Sequence, residues 1–302
     1  MVDWLVSGVL RRLCECRERD GVNRVETWFA AFDRKGRWQL NGTKGASPDD
    51  MQQWRNTTRP LNYPYIVFVG VQTLIEKTAL VTGANGGLGS HVTKALLDAN
   101  YTVVGLAPRI QQSDSDHPKF IALPATLTNL ATAKQAVASV IARCGKIDVL
   151  AHLVGGFIGG QTIAETDDAT WQRMFDANLN SAFHLLRGVI PEMRKAGGGR
   201  IIAIGSRAAE EPGPTVGAYS ASKAALVSLI KTVALENKDQ QITANVILAG
   251  TMDTPANRKA MPGADLAQWV EPASVASLIV WLVSEAGKDV TGAAIPVYGG
   301  GL

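Results

Sequence analysis

The sequence predicts an α/β fold: a Rossmann-type doubly wound parallel sheet in a single domain, preceded by an irregular N-terminal extension. Three observations carry this. From Glu76 onward, short apolar runs alternate with helical stretches. The first of those runs ends in a glycine-rich turn that opens into an amphipathic helix. The first 73 residues share neither pattern and differ in composition.

The extension, residues 1–73, holds nine arginines to two lysines and four of the seven tryptophans, Trp4, Trp28, Trp38 and Trp54. Its eleven bases outnumber eight acids, so it carries the whole net charge of +3. A short helix is expected around Trp4–Arg17. Asn41–Asp50 reads as turn, and Arg59–Pro64 carries two prolines. No sustained period of 3.6 or 2.0 runs through it. The segment reads as loosely ordered, or as an accessory arm for a partner or oligomer contact. Residues 74–302 form the body without it.

In the body the strand-like runs are Thr78–Thr82, Thr102–Leu106, Phe120–Leu123, Val149–Leu153, Arg200–Ile204, Ile242–Leu248 and Ala294–Tyr298. They are apolar at consecutive positions, as strands covered on both faces must be. Between them Ser90–Ala99, Leu130–Arg143, Thr170–Lys195, Tyr219–Asn237 and Ser274–Ser284 read as helices. Such alternation implies right-handed crossovers.

Composition narrows the partners. A net charge of +3 gives no reason to expect nucleic acid or an anionic membrane surface. Cys14, Cys16 and Cys144 make neither a disulfide framework nor a metal site, so a reducing, cytoplasmic setting is expected. No apolar run approaches the ~18 residues of a membrane span. The stretch Val2–Leu10 contains Asp3 and precedes its arginines, unlike a secretory signal.

The glycine turn reads Thr82-Gly83-Ala84-Asn85-Gly86-Gly87-Leu88-Gly89. Gly83, Gly87 and Gly89 let the backbone turn tightly and approach a pyrophosphate. Asn85 and Leu88 lie on the same loop, and the following helix offers unpaired N–H groups and a positive dipole. The second strand ends in Ala107-Pro108-Arg109, where an NAD enzyme places a carboxylate for the ribose diol. With no carboxylate and with Arg109 nearby, NADP(H) is favoured over NAD(H).

Tyr219 and Lys223 open a helix four residues apart, on one face. A free phenol, with a pKa of about 10, is a poor acid–base group at neutral pH, and an ammonium beside it should bring it down. Tyr219 could then protonate a carbonyl oxygen or deprotonate an alcohol. Ser206, at the end of Arg200–Ile204, can hydrogen-bond that oxygen. Asn178 lies within the preceding long helix.

Over about Glu76–Gly300 the sequence resembles the short-chain dehydrogenase/reductase family. Thr82–Gly89 is similar to its T-G-x-x-x-G-x-G cofactor loop, and Asn178, Ser206, Tyr219 and Lys223 match its catalytic tetrad in identity, order and spacing. The resemblance implies that Asn178 holds a relay water, that Lys223 also grips the nicotinamide ribose, and that Gly250 and Thr254 meet the carboxamide. It places Gly155 and Tyr219 at the cofactor too. It implies an oxidoreductase acting on a small-molecule carbonyl or alcohol. It also implies a homo-oligomer, a dimer or tetramer, paired through Thr170–Lys195 and Tyr219–Asn237. The chain departs from the family at His152, Ala249, Thr126 and Tyr298. His152 is expected to take over the sheet-tying role of the usual asparagine. Asp253–Trp269 and Gly155–Gly160 resemble the lid and double-glycine loop of quinonoid dihydropteridine reductases, so pterin reduction is the alternative activity. A dinucleotide-binding redox sensor without turnover is the alternative of another class.

Overall fold

The computed structural model describes residues 26–32, 38–44, 66–69 and 76–300. The chain divides into two compact units, Met1–Ile75 and Glu76–Leu302. In the first, β1 (Glu26–Phe32) pairs antiparallel with both β2 (Trp38–Lys44) and β3 (Ile66–Val69). These short strands lie within the extension, 1–73, that the sequence sets apart. Runs of four to seven residues are too short to display a period without their partners. The helix expected around Trp4–Arg17 lies outside the described residues.

The second unit follows the expected alternation. Its strands are β4 (Thr78–Thr82), β5 (Thr102–Ala107), β6 (Phe120–Pro124), β7 (Val149–His152), β8 (Gly199–Ile204), β9 (Ile242–Ala249) and β10 (Ala294–Val297). All pair in parallel, in the order β10-β9-β8-β7-β4-β5-β6. The helices are α1 (Gly89–Asp98), α2 (Leu130–Cys144), α3 (Asp168–Phe175), α4 (Ser181–Lys195), α5 (Gly217–Asn237), α6 (Pro255–Ala260) and α7 (Pro272–Val283).

Strand alternation sorts the core into two layers. Leu80 of β4 faces α2, α4 and α5, with Val140, Leu185 and Leu226 among its cluster. Ala79 and Val81 face α1 and α7, with Leu96 and Ile279. Each central strand is covered twice, which is why its sequence is apolar throughout. From β4 the chain runs outward to β5 and β6, then returns across it to β7. A ligand crevice opens at such a switch, beyond the carboxyl ends of β4 and β7.

The helix expected over Thr170–Lys195 is interrupted. Asp176–Asn180 is a π-helical turn between α3 and α4. The widened turn carries Asn178 into the interior, where it is fully buried. Among the described residues no helix is long and apolar enough to cross a membrane.

Candidate active site

The glycine turn is held by its own backbone. Gly83 has φ +66°, its N–H donates to the Leu106 carbonyl at 2.7 Å, and Gly86 N–H donates to the Gly83 carbonyl at 2.9 Å. A Cβ on Gly89 would run into the Gly83 carbonyl, and one on Gly87 would lie 2.8 Å from Thr254 Cγ2. Helix α1 starts beyond Leu88 without a side-chain cap and without an acidic residue in its first turn. Among the described residues the amides of Gly87 and Leu88 donate to no acceptor. A diphosphate satisfies such orphan donors. A cavity of about 410 Å³ lies over them, walled by Asn85, Ser90, Thr254 and Pro255. The residues present therefore fit a dinucleotide.

Thr82 anchors this turn to the next strand end. Its hydroxyl oxygen accepts from Leu153 N–H at 3.0 Å and Val154 N–H at 3.3 Å, and lies 3.1 Å from His152 Nδ1. With both lone pairs engaged, the Thr82 O–H donates to Nδ1. Ser181 Oγ donates to the Ala177 carbonyl at 2.8 Å, so its 3.4 Å contact with His152 Nε2 receives the ring N–H. Burial, helped by the Lys223 charge, pushes His152 down to about 3. His152 is thus a neutral strut between β4, β7 and the π-turn.

The four tetrad positions converge. Asn178 Oδ1 accepts from Gly156 N–H at 2.9 Å, while its Nδ2 donates to the Gly156 carbonyl at 3.0 Å and Ser222 Oγ at 3.1 Å. Lys223 Nζ donates to the Ile204 carbonyl at 2.8 Å. A Cβ on Gly155 would stand 2.8 Å from Asn178 Oδ1 and 3.1 Å from Lys223 Nζ, so only glycine leaves that space open. The Ser206 hydroxyl lies near enough to the Tyr219 phenol to draw it down. Burial brings Lys223 down to about 8.

The expected lowering of the Tyr219 phenol is not what the site does. Burial holds the phenol above its ordinary value, and the Ser206 hydroxyl draws it partly back. The ammonium that was to depress it is turned to the Ile204 carbonyl. A phenol kept protonated is poised as a donor.

Gly250 lies against the closing strand, where a Cβ would meet the Tyr298 carbonyl at 2.8 Å. Thr254 caps α6 by accepting from Asn257 N–H. Arg109 is exposed just past β5, with no ion pair among the described residues. Sequence reasoning missed Asp114. A 3₁₀ turn folds it back so that its carboxylate accepts from Gln111 N–H at 3.1 Å and Asn85 Nδ2 at 3.4 Å. The polar run Gln111–Asp116 signalled a turn, but not where it would land.

A family model described as short chain dehydrogenase matches residues 77–265. Acetoacetyl-CoA reductase of Acinetobacter sp. is 31% identical over 242 residues, covering 74% of this chain and 97% of the relative. D-beta-hydroxybutyrate dehydrogenase of Rhizobium meliloti is 30% identical over 256 residues, covering 75% and 98%. Among solved structures, the Pseudomonas aeruginosa RhlG/NADP complex aligns with TM-score 0.69 at 28% identity, covering 76% of this chain and 97% of that one. L-sorbose reductase of Gluconobacter frateurii with NADPH and L-sorbose aligns with TM-score 0.69 at 26% identity, covering 75% and 97%.

Proposed function

We propose that Asn178, Ser206, Tyr219 and Lys223 carry the chemistry of this chain, which belongs to the short-chain dehydrogenase family and is an NAD(P)-dependent oxidoreductase acting on a carbonyl or alcohol. The observation that supports these assignments is the convergence of Asn178 and Lys223 on the space kept open at Gly155, with the Ser206 hydroxyl beside the Tyr219 phenol. A bound nicotinamide supplies or takes up the hydride. The chain holds and protonates the oxygen. Ser206 and Tyr219 grip the substrate oxygen, and Tyr219 gives its phenolic proton as charge develops there. Lys223 and Asn178 refill that proton from solvent through an ordered water. The amides of Gly87 and Leu88 receive the diphosphate, Lys223 the nicotinamide ribose, and Gly250 and Thr254 the carboxamide end.

For the adenosine end the proposal is NADP(H) over NAD(H). Asp114 is the rival group, since a carboxylate suits a ribose diol. It is already engaged by Asn85 and Gln111, whereas Arg109 is without an ion pair among the described residues and suits a 2′-phosphate. We propose further a cytoplasmic homo-oligomer, a tetramer, paired through α3, α4 and α5, where Trp171, Phe183 and Leu235 are exposed.

The test is a turnover screen with NADPH and NADH against ketones, quinones and dihydropterins. Reduction of simple ketones is the expected result. Turnover confined to dihydropterins would favour the pterin reductase reading. Tight dinucleotide binding with no turnover would leave a sensor.

A further inference from the structure

The loop after β7 and the turn before α5 build an apolar wall beside Tyr219. The Phe157 ring meets the Tyr219 ring edge-on, with centroids 4.9 Å apart and planes at 79°, yet Phe157 is 65% exposed. Ile163 is 68% exposed. The wall is a built feature. A Cβ on Gly159 would lie 2.8 Å from Phe157 Cζ and 3.1 Å from Val216 Cγ1, and one on Gly217 would strike Ile163. Gly160 N–H donates to the Thr215 carbonyl at 2.8 Å, and Thr215 sits at φ +61°, unfavourable for a β-branched residue. The loop thereby holds Val216 and the start of α5 in place.

The wall also lacks cations. Residues 155–167 and 211–222 contain no lysine, arginine or histidine, while Glu165, Asp167 and Glu211 are acidic. Arg207 is paired with Glu211 and lies over the Tyr298 ring. On the lid Arg258 grips Asp253, leaving Lys259 as the cation of that segment with no ion pair among the described residues. An anionic substrate tail would find no cation on these two segments to pair with. An uncharged aryl or alicyclic group would gain ring contact with Phe157 and cover Ile163.

Resting on the oxidoreductase reading above, we propose that the substrate is an uncharged ketone, or its secondary alcohol, with an aromatic or alicyclic group next to the reacting carbon, and that Phe157 selects it. The measurement is the ratio of kcat/KM for acetophenone to kcat/KM for pyruvate, in wild type and in Phe157→Leu, Phe157→Ala and Phe157→Lys. The wild type should prefer acetophenone. Phe157→Ala should lower the ratio about tenfold, Phe157→Leu less, and Phe157→Lys most, by attracting the carboxylate. Because each ratio is taken within one variant, damage to folding cancels. Preference for pyruvate, or a ratio unmoved in Phe157→Lys, overturns the assignment while leaving the enzyme a carbonyl reductase. The same holds if Phe157→Ala changes the sedimentation mass but not the ratio, since a second copy would then be what covers Phe157. Failure of both ketones to react with either dinucleotide would instead strike the oxidoreductase reading itself.

Discussion

Thr82 is completely buried, and its hydroxyl accepts from two amides and donates to His152, whereas Phe157, five residues beyond that histidine, is mostly exposed. The first region is fixed by the hydrogen bonds of the Thr82 hydroxyl and by Gly87 and Gly89, which have no room for a Cβ, and it keeps the Gly87 and Leu88 amides for a ligand. The second is fixed only along its backbone, through Gly160 and Thr215, and leaves its apolar side chains open. The difference separates what recognition requires of each. A dinucleotide is a constant object and suits a rigid polar cradle. The substrate wall has to be uncovered for its ligand to supply the missing contacts.

Tyr219 stands at the seam of the two regions, and its removal should have the largest effect. Tyr219→Phe should lower kcat by about 10²–10⁴-fold or more while leaving dinucleotide affinity nearly unchanged. Retention of half the turnover in rapid-mixing assays would break the assignment.

The first region should also respond to acid. His152 sits near 3 when folded and 6.5 otherwise, so between those values the unfolded chain binds a proton that the folded chain does not. The stability from keeping it neutral is present above 6.5 and is lost as pH falls toward 3, by about 5 kcal/mol in all. His152→Asn should be less stable than wild type at pH 7 and should flatten the decline on acidification. Denaturant titrations at pH 7, 5.5 and 4 check both parts, and parallel curves would refute the strut.

Gly87→Ala probes the fit of the cradle. The added methyl meets both Thr254 Cγ2 and Thr254 Cβ and should weaken dinucleotide binding tenfold or more; Thr254→Ser removes only the first of these carbons and should restore part of the loss. Titration calorimetry of the single and double variants reads the coupling.

At the exposed rim the effects shrink. Arg109→Ala should weaken NADPH several-fold and spare NADH, and added salt should do the same to wild type. Equal affinities before and after would make Arg109 a solvated loop residue. The smallest change is expected from a chain beginning near Leu74, which should keep its activity and its melting temperature within a few degrees.

Much of this was legible in the chain itself. The spacing of Tyr219 and Lys223, the apolar runs and the glycine turn follow from local sequence, because helical period, double burial and tight turning are short-range demands. Strands β4 to β10 fall within a residue of their expected bounds for the same reason. The π-turn was not legible. It exists because Asn178 reaches Gly156 and Ser222, 22 and 44 residues away.

The same limit accounts for the rest of what tertiary structure decided. Sequence placed Lys223 beside Tyr219, but burial and the Ile204 carbonyl determine what its charge does. The absent carboxylate at Ala107 was visible, yet only the folded 111–114 turn brings Asp114 back to Asn85. His152 could be noticed, but its tautomer follows from hydroxyls on β4 and α4. Residue identity and spacing set which groups the chain possesses. Their protonation, partners and exposure depend on segments that meet only when the sheet closes over them.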